Sequence, residues 1–305
     1  MYLQHFGLSE APFALTPNTS FFLAMTPHVE ALQVLQTALQ TGEGFIKVTG
    51  EVGTGKTLLL RKLLNELPPP LRCAYLPNPC LSPSELRWAL ASELGLKYSA
   101  NIDQQQLTSL IQQQLLALAA HGHAVVLILD EAQALPTDSL ETLRLFTNLE
   151  TETRKLLQVV LFGQPELDQR LASAELRQLR QRITFSYRLR PLDERETQTY
   201  LNHRLAVAGF KGAPMFGAAE ARLLQRASRG IPRLLNILAH KALMLAFGAG
   251  DSRPSRSQLR AAIKDTEDAT QGHWPLSWAG WLACGALLTS LVLWFGGVGQ
   301  WGAGL

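Results

Sequence analysis

Residues 50–57 read GEVGTGKT, set between the apolar run GFIKV and the leucine-rich KTLLLRKLLNEL. No other feature constrains the chain as strongly. A short apolar run flanked by glycines is a buried strand. Apolar residues at helical spacing, stopped by the prolines at 68–70, are a helix. The spacing G-x-x-x-x-G-K-[ST] between them builds a loop whose glycines accept unusual dihedrals, so that backbone N–H groups turn inward around a phosphate. The following helix N-terminus adds partial positive charge. Gly50, Glu51, Val52, Gly53, Thr54, Gly55, Lys56, Thr57 and Leu58 are the candidate nucleotide-binding residues. Lys56 reaches for the terminal phosphates, and the Thr57 hydroxyl is a candidate Mg²⁺ ligand.

The rest of the first 190 residues alternates strand and helix signals. AVVLILDEAQ is an apolar run ending in Asp130 and Glu131. In a parallel sheet that end is the carboxyl edge, where ligands bind. Asp130 is the second candidate Mg²⁺ ligand, and Glu131 the candidate general base for an attacking water. CAYL, LQVVLFGQPEL and RITFSYRLRPL read as further strands. SPSELRWALASELGL opens with Ser82 and has Glu85 three residues on, the spacing of a capping box. DQQQLTSLIQQQLLALAA carries a helical leucine pattern. This alternation predicts an α/β fold with a parallel sheet flanked by helices.

After Pro191 only helix signals remain. Three segments in succession close on glycine, and SRPSRSQLRAAIKDTEDA adds an amphipathic helix. The expected domains are a nucleotide-binding α/β domain over 1–190, an all-helical lid over 191–270 and a membrane anchor over 271–305. From Ala269 to Leu305 there is no Asp, Glu, Lys or Arg. As a helix, 276–297 would measure roughly 33 Å, against about 30 Å for a bilayer core. Trp274, Trp278 and Trp281 flank one end, and Trp294 and Trp301 the other, as at headgroup level. Arg253, Arg256, Arg260 and Lys264 precede the span and no basic residue follows it. This orientation expects the globular part in the cytoplasm and the C-terminus in the periplasm. The opening residues show no signal peptide. A net charge of +3 offers no strong electrostatic case for nucleic acid. Cys73, Cys80 and Cys284 lack metal-ligand spacing and read as free thiols.

GEVGTGKT, LILDEAQ at 127–133, LFGQPEL at 161–167, LRQRI at 179–183 and GIPRLLN at 230–236 together resemble AAA+ P-loop ATPases, and within them the general secretion pathway protein A, or ExeA, class. The opening MYLQHFGLSEAPFALTPNTSFF looks most like the ATPases of mannose-sensitive haemagglutinin (MSHA) type IV pilus biogenesis. The resemblance implies ATP and Mg²⁺ as cofactors. It places Gln164 at the sensor-1 position and Arg233 at the sensor-2 position, with a homo-oligomer, expected to be a ring, as the active form. Arg177, Arg180 and Arg182 are the finger candidates, with Arg182 first. Phe13, Phe21 and Phe22 stand either as an apolar wall beside adenine or as core. The implied function is an inner-membrane ATPase that assembles a type IV pilus or a type II secretion-like machine. The alternatives are a DNA-associated ATPase of the transposition type and a nucleotide-switched scaffold. Longer members of the class continue into a wall-binding domain. Only VGQWGAGL follows the expected span here, so inner-membrane proteins of the pilus or secretion machine are the expected partners.

Overall fold

The computed structural model describes residues 2–16, 18–77, 80–99, 101–150 and 154–269. Met1–Ala269 is one unit, and the expected membrane span at 276–297 lies outside the described residues. Among the described residues no helix is long and apolar enough to cross a membrane. The first elements are α1 (Tyr2–His5), α2 (Thr26–Gln40), β1 (Phe45–Gly50), α3 (Lys56–Glu66) and β2 (Leu71–Leu76). Then come α4 (Pro83–Glu93), α5 (Gln104–Ala120), β3 (Ala124–Leu129), α6 (Thr137–Phe146) and β4 (Leu157–Gly163). α7 (Pro165–Leu171), α8 (Arg177–Arg182) and β5 (Ile183–Leu189) complete the α/β part. α9 (Glu194–Val207), α10 (Ala218–Ser228), α11 (Pro232–Ala249) and α12 (Arg256–Lys264) follow.

The strands form one parallel sheet in the order β2-β3-β4-β1-β5. Alternate residues of each strand face opposite sides, and each side has its own core. Val125, Leu127, Leu129, Val159 and Leu161 pack with α4, α5 and α6. Ile46, Val48, Val126, Ile128 and Phe162 pack with α2 and α3. Burial on both faces explains why β3 reads as an unbroken apolar run and β4 as one interrupted only by the buried Gln158. The Ser82–Glu85 capping box forms as the spacing predicts. Asp103–Gln106, Asp193–Glu196 and Ser255–Gln258 make three more.

The helical part has a third core, built by α9 to α12. Phe6, Leu8, Phe13 and Phe21 of the opening segment are buried in it. The chain crosses into this part through two tight links. Arg190 pairs with both oxygens of Glu196, at 2.7 and 2.9 Å. Leu192 N–H donates to the Gly230 carbonyl at 2.9 Å. Gly230 has φ +72°, and a Cβ there would sit 2.1 Å from the Leu192 carbonyl oxygen, so this crossing admits only glycine.

Candidate phosphate site at the carboxyl edge of the sheet

β1 delivers Gly50 to the carboxyl edge, and the loop Glu51–Gly55 leads into α3. Gly55 precedes α3 at φ +99°, a left-handed conformation that glycine adopts without strain. The loop is tied internally: Thr54 N–H and Thr54 Oγ1 both donate to the Glu51 carbonyl, at 3.3 and 2.8 Å. Lys56 is buried and donates to the Gly50 and Glu51 carbonyls at 2.8 and 3.1 Å. Burial lowers its pKa, against the nearby carboxylates of Glu131, Asp130 and Glu51. A cavity of about 240 Å³ opens here, with Val52, Gly53, Gly55, Lys56, Thr57 and Leu58 along one side. The larger cavity, about 870 Å³ beside Gly42, Pro68 and Lys155, touches none of these residues.

β3 ends one residue before Asp130, which is buried. Its Oδ2 accepts from Thr57 Oγ1 at 3.0 Å, and its Oδ1 from the Glu131 N–H at 3.0 Å. Burial pushes the Asp130 carboxyl up, against those two hydrogen bonds. A carboxylate and a hydroxyl side by side are the hard oxygen ligands that Mg²⁺ takes when phosphates supply the rest. The pair fits the ion. Among the described residues no group of three or more His, Cys, Asp or Glu could hold a metal on its own.

Glu131 has φ +52°, a backbone choice that costs a non-glycine residue about 1–3 kcal/mol. The strain turns its side chain toward two amides. Gln133 Nε2 donates to Glu131 Oε2 at 2.6 Å, and Gln164 Nε2 to the same oxygen at 2.9 Å. Gln133 Oε1 in turn accepts from the Gln164 N–H at 3.0 Å. Burial opposes ionisation of Glu131, but the two amide hydrogen bonds and Lys56 outweigh it and lower its pKa. Gln164 reaches Glu131 because β4 lies between β1 and β3. Nothing in the sequence singled out Gln133. Its signal is only a polar residue two positions past the acid, and the left-handed turn at Glu131 is what brings it back. Replacing Gln164 with Leu removes one bond to the carboxylate, so the charged form loses support. The acidic limb of turnover should then move to higher pH. A pH–rate profile checks the sign.

Arg233 lines the same cavity from the start of α11. Its N–H donates to the Gly53 carbonyl at 3.1 Å. A Cβ on Gly53 would sit 2.5 Å from the Arg233 Cβ. The helical part therefore rests directly on the loop. Phe13 and Phe21 are core residues and do not line the cavity; Ala14, Leu15, Thr16 and Asn18 do. Phe22 packs edge-on to His28. Tyr200, Arg204 and Asn236 also line the cavity, unsignalled in the sequence. Arg204 is buried and holds the Pro12 and Ala14 carbonyls at 2.5 and 3.3 Å.

Arg182 stands elsewhere. It immediately precedes β5, whose first residue pairs with Phe45 at the start of β1. The length of β1, roughly 17 Å at about 3.3 Å per residue, separates it from this chain's own loop. Arg182 donates to Thr147 Oγ1 at 3.5 Å. Arg177 and Arg180 are exposed on α8.

Residues 39–171 match a family model described as an AAA domain. The chain is 43% identical over 295 residues to general secretion pathway protein A of Aeromonas hydrophila, a similarity covering 96% of this chain and 54% of that protein. The chain thus spans about half the length of the curated relative it matches. Among solved structures, Cdc6p of Pyrobaculum aerophilum aligns with a TM-score of 0.59 at 18% identity, over 80% of this chain and 70% of that one. The ORC2 protein of Aeropyrum pernix aligns with a TM-score of 0.57 at 16% identity, over 83% and 72%. At such identities these likenesses speak for the fold alone. The fold is the P-loop AAA type, and along most of its length the chain is similar to general secretion pathway protein A.

Proposed function

We propose that this chain hydrolyses ATP at the loop of Gly50–Leu58, and that it couples ATP binding and hydrolysis to assembly of a type IV, MSHA-like pilus or a type II secretion-like machine at the inner membrane. The observation that carries the enzymatic part is Glu131, held ionised by Gln133 and Gln164 beside Lys56 and the Thr57–Asp130 pair. The inward N–H groups of the loop hold the phosphates, with Lys56 as the fixed charge. Mg²⁺, when bound by Thr57 and Asp130, would neutralise charge on the phosphate oxygens. Glu131 orients a water and takes its proton as the water oxygen attacks the terminal phosphorus and the bond to ADP breaks. Arg233 reports the nucleotide state to the helical part through its seat on Gly53.

Support for the membrane and secretion part is the similarity to general secretion pathway protein A and the uncharged stretch at 276–297. Tethering leaves the α/β part and lid in the cytoplasm and the C-terminus in the periplasm. The proposed partners are further copies of this chain and inner-membrane proteins of the same machine. The test is Lys56→Ala in the producing cell. The variant should stay in the membrane fraction, retain at least about tenfold less nucleotide, and fail to support assembly. Normal assembly by Lys56→Ala, or full-length protein in the soluble fraction, would contradict this reading.

A further inference from the structure

α2 places His28 against the outer side of the phosphate loop. His28 is 7% exposed. Its Nε2 lies 3.2 Å from the Thr54 carbonyl oxygen. A Cβ on Gly55 would come within 3.0 Å of the same nitrogen. The other ring nitrogen, Nδ1, is buried without a hydrogen-bond partner. A carbonyl only accepts, so Nε2 must carry the proton, and Nδ1 holds the lone pair. Burial lowers the pKa of the ring, against the Thr54 carbonyl and Glu196, which favours this neutral form.

The consequence follows from the planarity of one peptide bond. In a trans peptide the C=O of residue 54 and the N–H of residue 55 point in opposite directions. The 54–55 bond is trans, as no cis bond is present among the described residues. A donor that pulls the Thr54 carbonyl outward therefore turns the Gly55 N–H inward, toward the cavity that Gly55 lines. Glycine has no intrinsic preference to hold that plane, because it occupies positive and negative φ about equally. We propose that His28 is a positioning residue for nucleotide binding: its Nε2–H pins the 54–55 peptide plane so that the Gly55 N–H faces the phosphate. This rests on the reading of Gly50–Leu58 as a nucleotide site. Because the Gly55 N–H meets a phosphate in substrate and transition state alike, loss of the pin weakens binding and leaves the chemical step nearly intact.

The test uses full-length protein with His28→Phe, which keeps a ring but no donor, and His28→Gln, whose amide nitrogen reaches the position of Nε2. Affinity for a fluorescent ATP analogue and the KM and kcat for ATP are measured for each. His28→Phe should bind about tenfold more weakly, the scale of one lost hydrogen bond, with KM raised alike and kcat within about threefold. His28→Gln should recover most of the affinity. Equal binding by wild type and His28→Phe overturns the proposal. So does equal weakening of both variants, which assigns the effect to ring packing. If wild type itself binds no nucleotide, the reading of the site fails instead. Should His28→Phe not fold, ¹⁵N resonances of histidine in the wild type decide: a ring protonated on Nδ1 and bare at Nε2 overturns the pin.

Discussion

Glu131→Gln should bind ATP as tightly as the wild type and release phosphate 10²–10⁴-fold more slowly, the usual contribution of a positioned general base. The geometry explains why binding survives. The Glu131 side chain bonds neither the loop carbonyls that hold Lys56 nor the Thr57–Asp130 pair; only its backbone N–H, which the exchange leaves in place, donates to Asp130. Its partners are Gln133 and Gln164, both amide donors. A glutamine at 131 can still accept one of those bonds, so the turn at φ +52° survives the exchange. Lost is the negative charge that would take the water's proton. Equilibrium binding of a fluorescent ATP analogue, set beside single-turnover phosphate release, separates the two effects.

Arg182→Ala should lower kcat by 10³–10⁵-fold, the range for an arginine supplied across an interface, with ATP affinity unchanged. The argument is one of distance. Arg182 sits at the amino edge of the sheet, and the loop sits at the carboxyl edge of the same strand pair. An arginine there lies too far to serve this chain's own site, and on the proposed reading it serves a neighbouring copy's. Mixing Arg182→Ala with Glu131→Gln should then restore part of the activity, because some mixed interfaces join an intact acid to an intact arginine. Arg180→Ala is the control. Its guanidinium already donates to the Ala172 carbonyl at 3.2 Å, and its loss should cost little turnover.

The parts of this fold legible in the sequence are local. The strand–loop–helix from Phe45 to Glu66 is written in adjacent residues, as is the Ser82–Glu85 cap. The unbroken apolar run of β3 and the nearly unbroken one of β4 follow from burial on both faces. What was hidden depends on strand order. Only because β4 inserts between β3 and β1 does Gln164 meet Glu131, 33 residues away in the chain. Gln133 is hidden by a backbone turn that no side-chain pattern encodes. α2 has apolar residues at helical spacing, Ala31, Leu32, Leu35, Ala38 and Leu39. Yet the meaning of His28 appears only when that helix docks 26 residues ahead against Thr54. The phenylalanines of the opening segment could be wall or core on pattern alone. Packing against α9 to α12 settles Phe13 and Phe21 as core.

Phosphate release from ATP by the full-length chain with Mg²⁺, across a range of protein concentrations and beside Glu131→Gln, tests the central claim most directly. Hydrolysis at shared sites predicts a rate that rises more than linearly with concentration and collapses in the variant. A wild type that binds ATP but releases phosphate no faster than Glu131→Gln would contradict it, and the chain would then be a nucleotide-switched scaffold.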